Sequence, residues 1–285
     1  MKRYRYPGIT PFSEGDQHIY WGRKDDILKV FNSIALNQST VLVGRSGVGK
    51  TSLIYAGVLP MIHSETKGKT NDNRCFDDIQ IRIGIHTKGE EISLNQKIKK
   101  LINGQEVTET FLDFLPSEFK SSLWYEFKRL QFRNRKSKDA HIFLLIFDQL
   151  EELFTYPYEQ FRDLLKELKD LISANLPDDI RQCIEKMERQ NPDLLTDEEV
   201  AILYKTIPIK FLFAVRSDKL SLAIRLRASI ESILQNPIEL RPLSAEQAYE
   251  AIKKPALETD GDFITEPFEI EDEAVKSICT FLSNL

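Results

Sequence analysis

A chain of 285 residues, 41% apolar and 29% charged, is long enough for one large α/β domain, or one such domain and part of a second. Its net charge of -5 excludes a polycation built to coat nucleic acid. Cys75, Cys183 and Cys279 are far apart and read as reduced thiols, neither a disulfide frame nor a zinc site. MKRYRYPGITPF has no apolar h-region, and the longest apolar run, HIFLLIF, is too short to cross a bilayer, so a soluble cytoplasmic protein with no membrane partner is expected.

Residues 1–22 are aromatic-rich and broken by Pro7, Gly8, Pro11, Gly15 and Gly22. RKDDILKVFNSIAL then carries apolar residues at helical spacing. TVLV is a short buried strand, followed by a glycine loop and a helical apolar face from Lys50 to about His63. Residues 64–78 are polar and read as a loop, and the alternation of IQIRIGIHT (79–87) predicts a strand with Arg82 on one face. Residues 90–134 read as helical in pieces. HIFLLIF (141–147) is a fully apolar strand, which calls for a sheet covered on both faces. EQFRDLLKELKDLISANL is an amphipathic helix, 177–205 a charged helical insertion, and PIKFLFAVR (208–216) another apolar strand. IEL is a short strand candidate, and SAEQAYEAIKKPAL opens with a capping box, Ser244 and Gln247. The tail from Ile270 is helical, with Val275, Ile278 and Leu282 apolar.

GRSGVGKT (44–51) fits G-x-x-x-x-G-K-[ST] between a strand and a helix. Gly44, Gly47 and Gly49 let the backbone turn so that the amides of Arg45, Ser46, Val48 and Ser52 can face an anion, and the helix start adds its positive end. Lys50 can reach the outer phosphates of a nucleotide, and the Thr51 hydroxyl can hold Mg²⁺. Such a site needs an acid at the end of a second strand, and Asp148 supplies it. The general base stays open between Gln149, which directly follows, and Glu151, with Glu152 facing solvent. Arg216 ends a third apolar strand, where it can sense a phosphate or simply pair with Asp218. KRLQFRNRKSK (128–138) is basic with interleaved aromatics, but reads better as a solvated loop than as a nucleic-acid contact. His18, His63, His86 and His141 show no metal-ligand spacing, and no Asn-Lys-x-Asp guanine reader is present.

YPGITPFSEGDQHIYWGRKDDI, VLVGRSGVGKTSLIYAGVLPMI, LLIFDQLEELFT, FLFAVRSDKL and ELRPLSAEQAYEAIKKPA together resemble, in order, the STAND class of signal-transducing ATPases, most similarly the bacterial novel STAND NTPase branch. The resemblance implies a P-loop NTPase three-layer α/β sandwich with a mostly parallel, AAA+-like sheet: a nucleotide-proximal segment (1–22), an ATPase core (23–240) and part of a helical lid (241–285). It puts Gly22 and Arg23 near the nucleotide, gives Asp148 the metal, makes Arg216 the sensor arginine and Pro242 the residue on the adenine side. Lys24 departs from the acid usual there. The resemblance further implies ATP/ADP and Mg²⁺ as cofactors, switch behaviour with slow hydrolysis, and a setting in defence against phage. Sensor and effector domains outside this stretch are implied as partners, with the stretch itself monomeric although the family oligomerises on activation.

Overall fold

The computed structural model describes residues 3–66, 74–82, 84–87, 92–102 and 111–283. Helix α1 (Lys24–Leu36) buries Val30 and Ile34 and leads into β1 (Ser39–Gly44), every residue of which is buried. The glycine loop follows. Helix α2 (Lys50–Ser52) then continues through a buried π-helical segment (Leu53–Val58) into α3 (Leu59–Thr66). Pro60 has no N–H to donate, and the wider turn lies directly ahead of it.

Next come β2 (Arg74–Ile81), α4 (Leu94–Ile102), one-turn α5 (Ser117–Lys120), α6 (Leu123–Arg133) and β3 (Ala140–Phe147). A 3-10 segment (Leu150–Thr155) connects β3 to α7 (Tyr158–Ile172), which is followed by α8 (Asp178–Gln190), α9 (Asp197–Tyr204) and β4 (Ile209–Arg216). Short α10 (Leu220–Ala223) and β5 (Ile238–Glu239) precede α11 (Ala245–Leu257) and α12 (Asp272–Ser283).

The five strands form one parallel sheet in the order β2-β3-β4-β1-β5. Successive side chains of a strand point to opposite faces, and here both faces are covered. Val41, Val43, Phe143, Leu145, Phe211 and Phe213 join α4, α6 and α7 in one core, whereas Leu42, Leu144, Ile146, Leu212 and Ala214 join α1 and the helix after the glycine loop in the other. That double burial is why the three central strands read as largely apolar runs. Ile180, Ile184 and Leu203 enter the first core, so the charged stretch 177–205 is a packed helical pair.

Two expected boundaries move. β2 begins at Arg74, inside the expected loop 64–78, and ends at Ile81, short of the expected strand 79–87. The charges of RCFDD hide this strand, but they are matched locally: Asp77 accepts from Asn134 and pairs with His141, and Asp78 pairs with His63. Residues 67–73 of that expected loop, Ile83 of that expected strand, and 103–110 of the expected helical stretch lie outside the described residues, as does the side chain of Leu282. The capping box at Ser244 and Gln247 forms as expected.

Register sets the functional edge. Gly44 pairs with Arg216, Phe147 with Phe213 and Ile81 with Phe147. The glycine loop, Asp148, Arg216 and Arg82 therefore emerge together at the carboxyl ends of their strands, where open α/β sheets bind ligands.

Candidate nucleotide-binding site

The loop after β1 turns on Gly47 (φ +75°) and Gly49 (φ +99°), left-handed conformations that side-chain-bearing residues rarely adopt. Gly49 caps the helix, and its carbonyl accepts from Leu53 N at 2.8 Å. Lys50 folds back over the loop, its Nζ donating to the carbonyls of Gly44 (2.9 Å) and Arg45 (3.0 Å). Burial pulls its pKa below the usual lysine value, against the opposing charges of Glu151 and Asp148.

Asp148 is the buried acid of the edge, its side chain 1% exposed. The Thr51 hydroxyl lies 3.2 and 3.1 Å from its two carboxylate oxygens, and Arg82 Nη2 donates to Oδ2 at 2.8 Å. The Arg82 guanidinium also lies over the Tyr55 ring, 4.9 Å from its centroid. Arg82 is the residue at this edge that motif reading passes over. Its signal is positional: Ile81 opposite Phe147 makes the next residues, Arg82 and Asp148, neighbours. A buried carboxylate of this kind needs a cation, and here an arginine supplies it. The hydroxyl and carboxylate oxygens of Thr51 and Asp148 are the hard donors that Mg²⁺ prefers, so the residues present fit that ion.

Gln149 sits at φ +59°, one of two non-glycine residues in the left-handed region among those described. It turns the chain so that Glu151 reaches back to the edge, where its Oε2 accepts a long hydrogen bond from Arg216 N (3.4 Å). Glu152 points elsewhere and accepts from Gly84 N at 3.0 Å; burial raises its pKa. Arg216 makes a two-pronged pair with Asp218, both contacts at 3.0 Å.

These groups border a cleft of ≈ 610 Å³. Ser46 through Ser52, Asp148, Gln149, Glu151 and Arg216 line its glycine-loop end, and Arg23 also borders it. The rest of its lining includes 9–12, Tyr20 and Trp21 of the N-terminal segment together with Leu243 and Ala251, none of them a candidate site residue in the sequence reading. The backbone of Phe12 is tied to the glycine-loop helix through the Ser52 hydroxyl (3.2 Å). Gly22, Gly44, Arg45 and Pro242 do not line this cleft. Pro242 borders a neighbouring recess with Arg23 and Asp26. Gly22 (φ +83°) presses against α11, where an added Cβ would stand 2.3 Å from the Gln247 carbonyl oxygen. Buried Arg23 donates to Asp26 (2.9 Å) and to the carbonyls of Arg241 (2.8 Å) and Val48 (3.2 Å), fastening the glycine loop to the segment that leads into α11. Arg5, also buried, donates to the carbonyls of Pro255, Glu258 and Thr265 and so ties the N-terminal segment to the end of α11 and the residues after it.

The basic run 128–138 is not an open track. Lys128 is buried and donates to Gln131 and to the Ile202 and Lys205 carbonyls, while Arg135 stacks on Phe132 and pairs with Glu198. Among the described residues, no helix is long and apolar enough to cross a membrane.

A parallel sheet with a phosphate loop after β1, an acid after β3 and an arginine ending the strand between them defines a P-loop NTPase module. The profile of the family Novel STAND NTPase 1 matches residues 6–270, and the chain belongs to that family. No curated protein matches the chain in sequence. Among solved structures, a Walker-type ATPase of Pyrococcus abyssi is similar over 96% of this chain and 66% of its own, with TM-score 0.52 and 14% identity. The ORC2 protein of Aeropyrum pernix, solved in ADPNP and ADP complexes, is similar over 86% of this chain and 52% of its own, with TM-score 0.41 and 15% identity. The chain thus spans 66% of the first of these proteins and 52% of the second, and the first likeness is one of fold.

Proposed function

We propose that this module is an ATP-dependent molecular switch that binds ATP and ADP with Mg²⁺ and hydrolyses ATP slowly. The observation that carries this reading is the convergence of Lys50, Thr51, Asp148, Glu151 and Arg216 on one sheet edge around one cleft. The loop amides and Lys50 would hold the phosphates, Lys50 exchanging its two carbonyl partners for phosphate oxygens. Bound between Thr51 and Asp148, Mg²⁺ would neutralise charge on the outer phosphates. Glu151 or Gln149 would orient the attacking water, with Glu151 the stronger base. Arg216, released from Asp218, would report the γ-phosphate. The base would lie between the N-terminal aromatic wall and Leu243, with Gly22, Arg23 and Pro242 setting how residues 241–285 close over it.

A second reading is a nucleotide-locked scaffold in which ADP is structural. It is favoured by Gln149, an amide directly after Asp148 at the place of a general base. A Glu151→Gln variant separates the two. The switch reading expects ATP to be retained on the variant and single-turnover hydrolysis to fall by at least about 100-fold. Unchanged hydrolysis removes Glu151 as the base, and no measurable hydrolysis by either protein favours the scaffold. The family resemblance further supports a cytoplasmic signalling role in defence against phage, exercised through sensor and effector domains. Loss of protection in cells carrying Lys50→Ala in the full-length protein is the corresponding test.

A further inference from the structure

At the other end of the sheet, remote from the nucleotide edge, the parallel pairing of β2 with β3 places Cys75 directly beside His141. Asp77 lies two residues along β2, on the same face as Cys75. The Sγ of Cys75, a carboxylate oxygen of Asp77 and a ring nitrogen of His141 all lie within 4.8 Å of one another, and all three residues are half-buried. Among the described residues this is the one such group of three potential ligands. We propose that Cys75, Asp77 and His141 bind one zinc ion, with water in the fourth position.

Two independent features support a built site. Two of the three ligands are held from outside: Asn134 Nδ2 donates to Asp77 Oδ2 (3.0 Å), and the remote His141 nitrogen, Nε2, meets the Ser137 hydroxyl (3.0 Å). An oxygen partner on the far ring nitrogen is the usual support of a metal-bound histidine, since it fixes the ring and leaves the other nitrogen for the ion. Both supports come from the turn between α6 and β3, so one short segment orients two ligands. The donor chemistry is also selective. A thiolate, an imidazole and a carboxylate together suit tetrahedral Zn²⁺, whereas Mg²⁺ and Ca²⁺ take oxygen ligands alone.

His141 and Asp148 are seven residues apart, about 23 Å along an extended strand. The zinc would therefore take no part in phosphate chemistry. It would clamp edge strand β2 to β3, so binding zinc stabilises the fold in proportion to its affinity. Sequence spacing conceals the set, because His141 lies more than sixty residues from Cys75 and Asp77 and only strand pairing joins them.

The test uses the whole chain, stripped with chelator and titrated with Co²⁺ alone, followed by displacement with Zn²⁺. The expected result is one Co²⁺ per chain with tetrahedral d–d bands and a thiolate charge-transfer band, displaced by Zn²⁺ and untouched by excess Mg²⁺. Cys75→Ser should abolish the thiolate band, His141→Gln should abolish tight binding, and Asn134→Ala should weaken it by about 10- to 100-fold. Far-ultraviolet circular dichroism and urea denaturation of each variant serve as the folding control. A wild-type protein with no cobalt spectrum, or a thiolate band that survives in Cys75→Ser, overturns the proposal and leaves an ordinary Asp77–His141 ion pair. The experiment does not depend on the switch reading, which stands or falls at the other edge of the sheet.

Discussion

Replacing Arg82 with Gln removes the guanidinium from Asp148 and keeps a shorter, neutral polar side chain. The cost follows from unequal burial: the Asp148 side chain is 1% exposed, whereas that of Arg82 is 56% exposed. Breaking a fully buried pair costs about 3–5 kcal/mol, and an exposed pair contributes roughly 0–1. Solvent screens the arginine end here, and Thr51 still lies against the carboxylate, so we expect a loss of about 1–2 kcal/mol in the ligand-free protein. A divalent cation on Asp148 does the same electrostatic work as Arg82. The penalty should therefore shrink to within about 0.5 kcal/mol at saturating Mg-ADP, and Mn²⁺ alone should bind the variant about tenfold tighter than wild type. Urea denaturation with and without Mg-ADP, together with Mn²⁺ titration followed by electron paramagnetic resonance, measures both effects. Equal stability losses in the two conditions, with unchanged Mn²⁺ affinity, would refute the idea that arginine and metal exchange on one carboxylate.

Gly22→Ala forces a left-handed residue into contact with the Gln247 carbonyl; it should destabilise by at least about 1–3 kcal/mol and weaken nucleotide binding, as read by denaturation and calorimetric titration. Arg216→Ala should leave ADP affinity within about threefold but selectively lower discrimination between ATP and ADP, measured by competition for a fluorescent nucleotide. Lys128 has its pKa pulled down to about 7, chiefly by burial and secondarily by Lys205. The folded state therefore sheds this proton near pH 7 while the unfolded chain holds it to about pH 10.4, so this group makes stability rise with pH between those values. Denaturation between pH 7 and 9 should show a slope from this group that Lys128→Met removes. A slope unchanged by the substitution would mean that Lys128 stays charged in the fold.

The legible and illegible parts of this protein divide along physical lines. The buried stretches of β1, β3 and β4 (41–43, 143–147 and 211–215) are covered on both faces and are apolar throughout, and the first polar groups after them towards the carboxyl ends are those of the candidate site: the glycine loop, Asp148 and Arg216. β2 sits at the edge of the sheet and carries Asp77 and Asp78, whose charges are met by side chains from other elements, and no periodicity announces that. Arg82 became visible only through register. The cleft lining at 9–12 and Trp21 depends on a long-range dock, Arg5 into the carbonyls of Pro255 and Glu258, for which the local sequence carries no pattern. The resemblance puts Gly22 and Arg23 near the nucleotide; in the structure Arg23 joins the glycine loop to Arg241, and Gly22 presses against α11.

The central claim is that the cleft at the glycine loop holds a magnesium nucleotide through Lys50, Thr51 and Asp148. Its most direct test is a calorimetric titration of Mg-ADP into nucleotide-stripped wild-type protein and into Lys50→Ala. Saturable binding at one site per chain, weakened at least about 100-fold in the variant (roughly 2.7 kcal/mol), is the predicted result. No binding by the folded wild type, or equal binding by both proteins, would contradict the account.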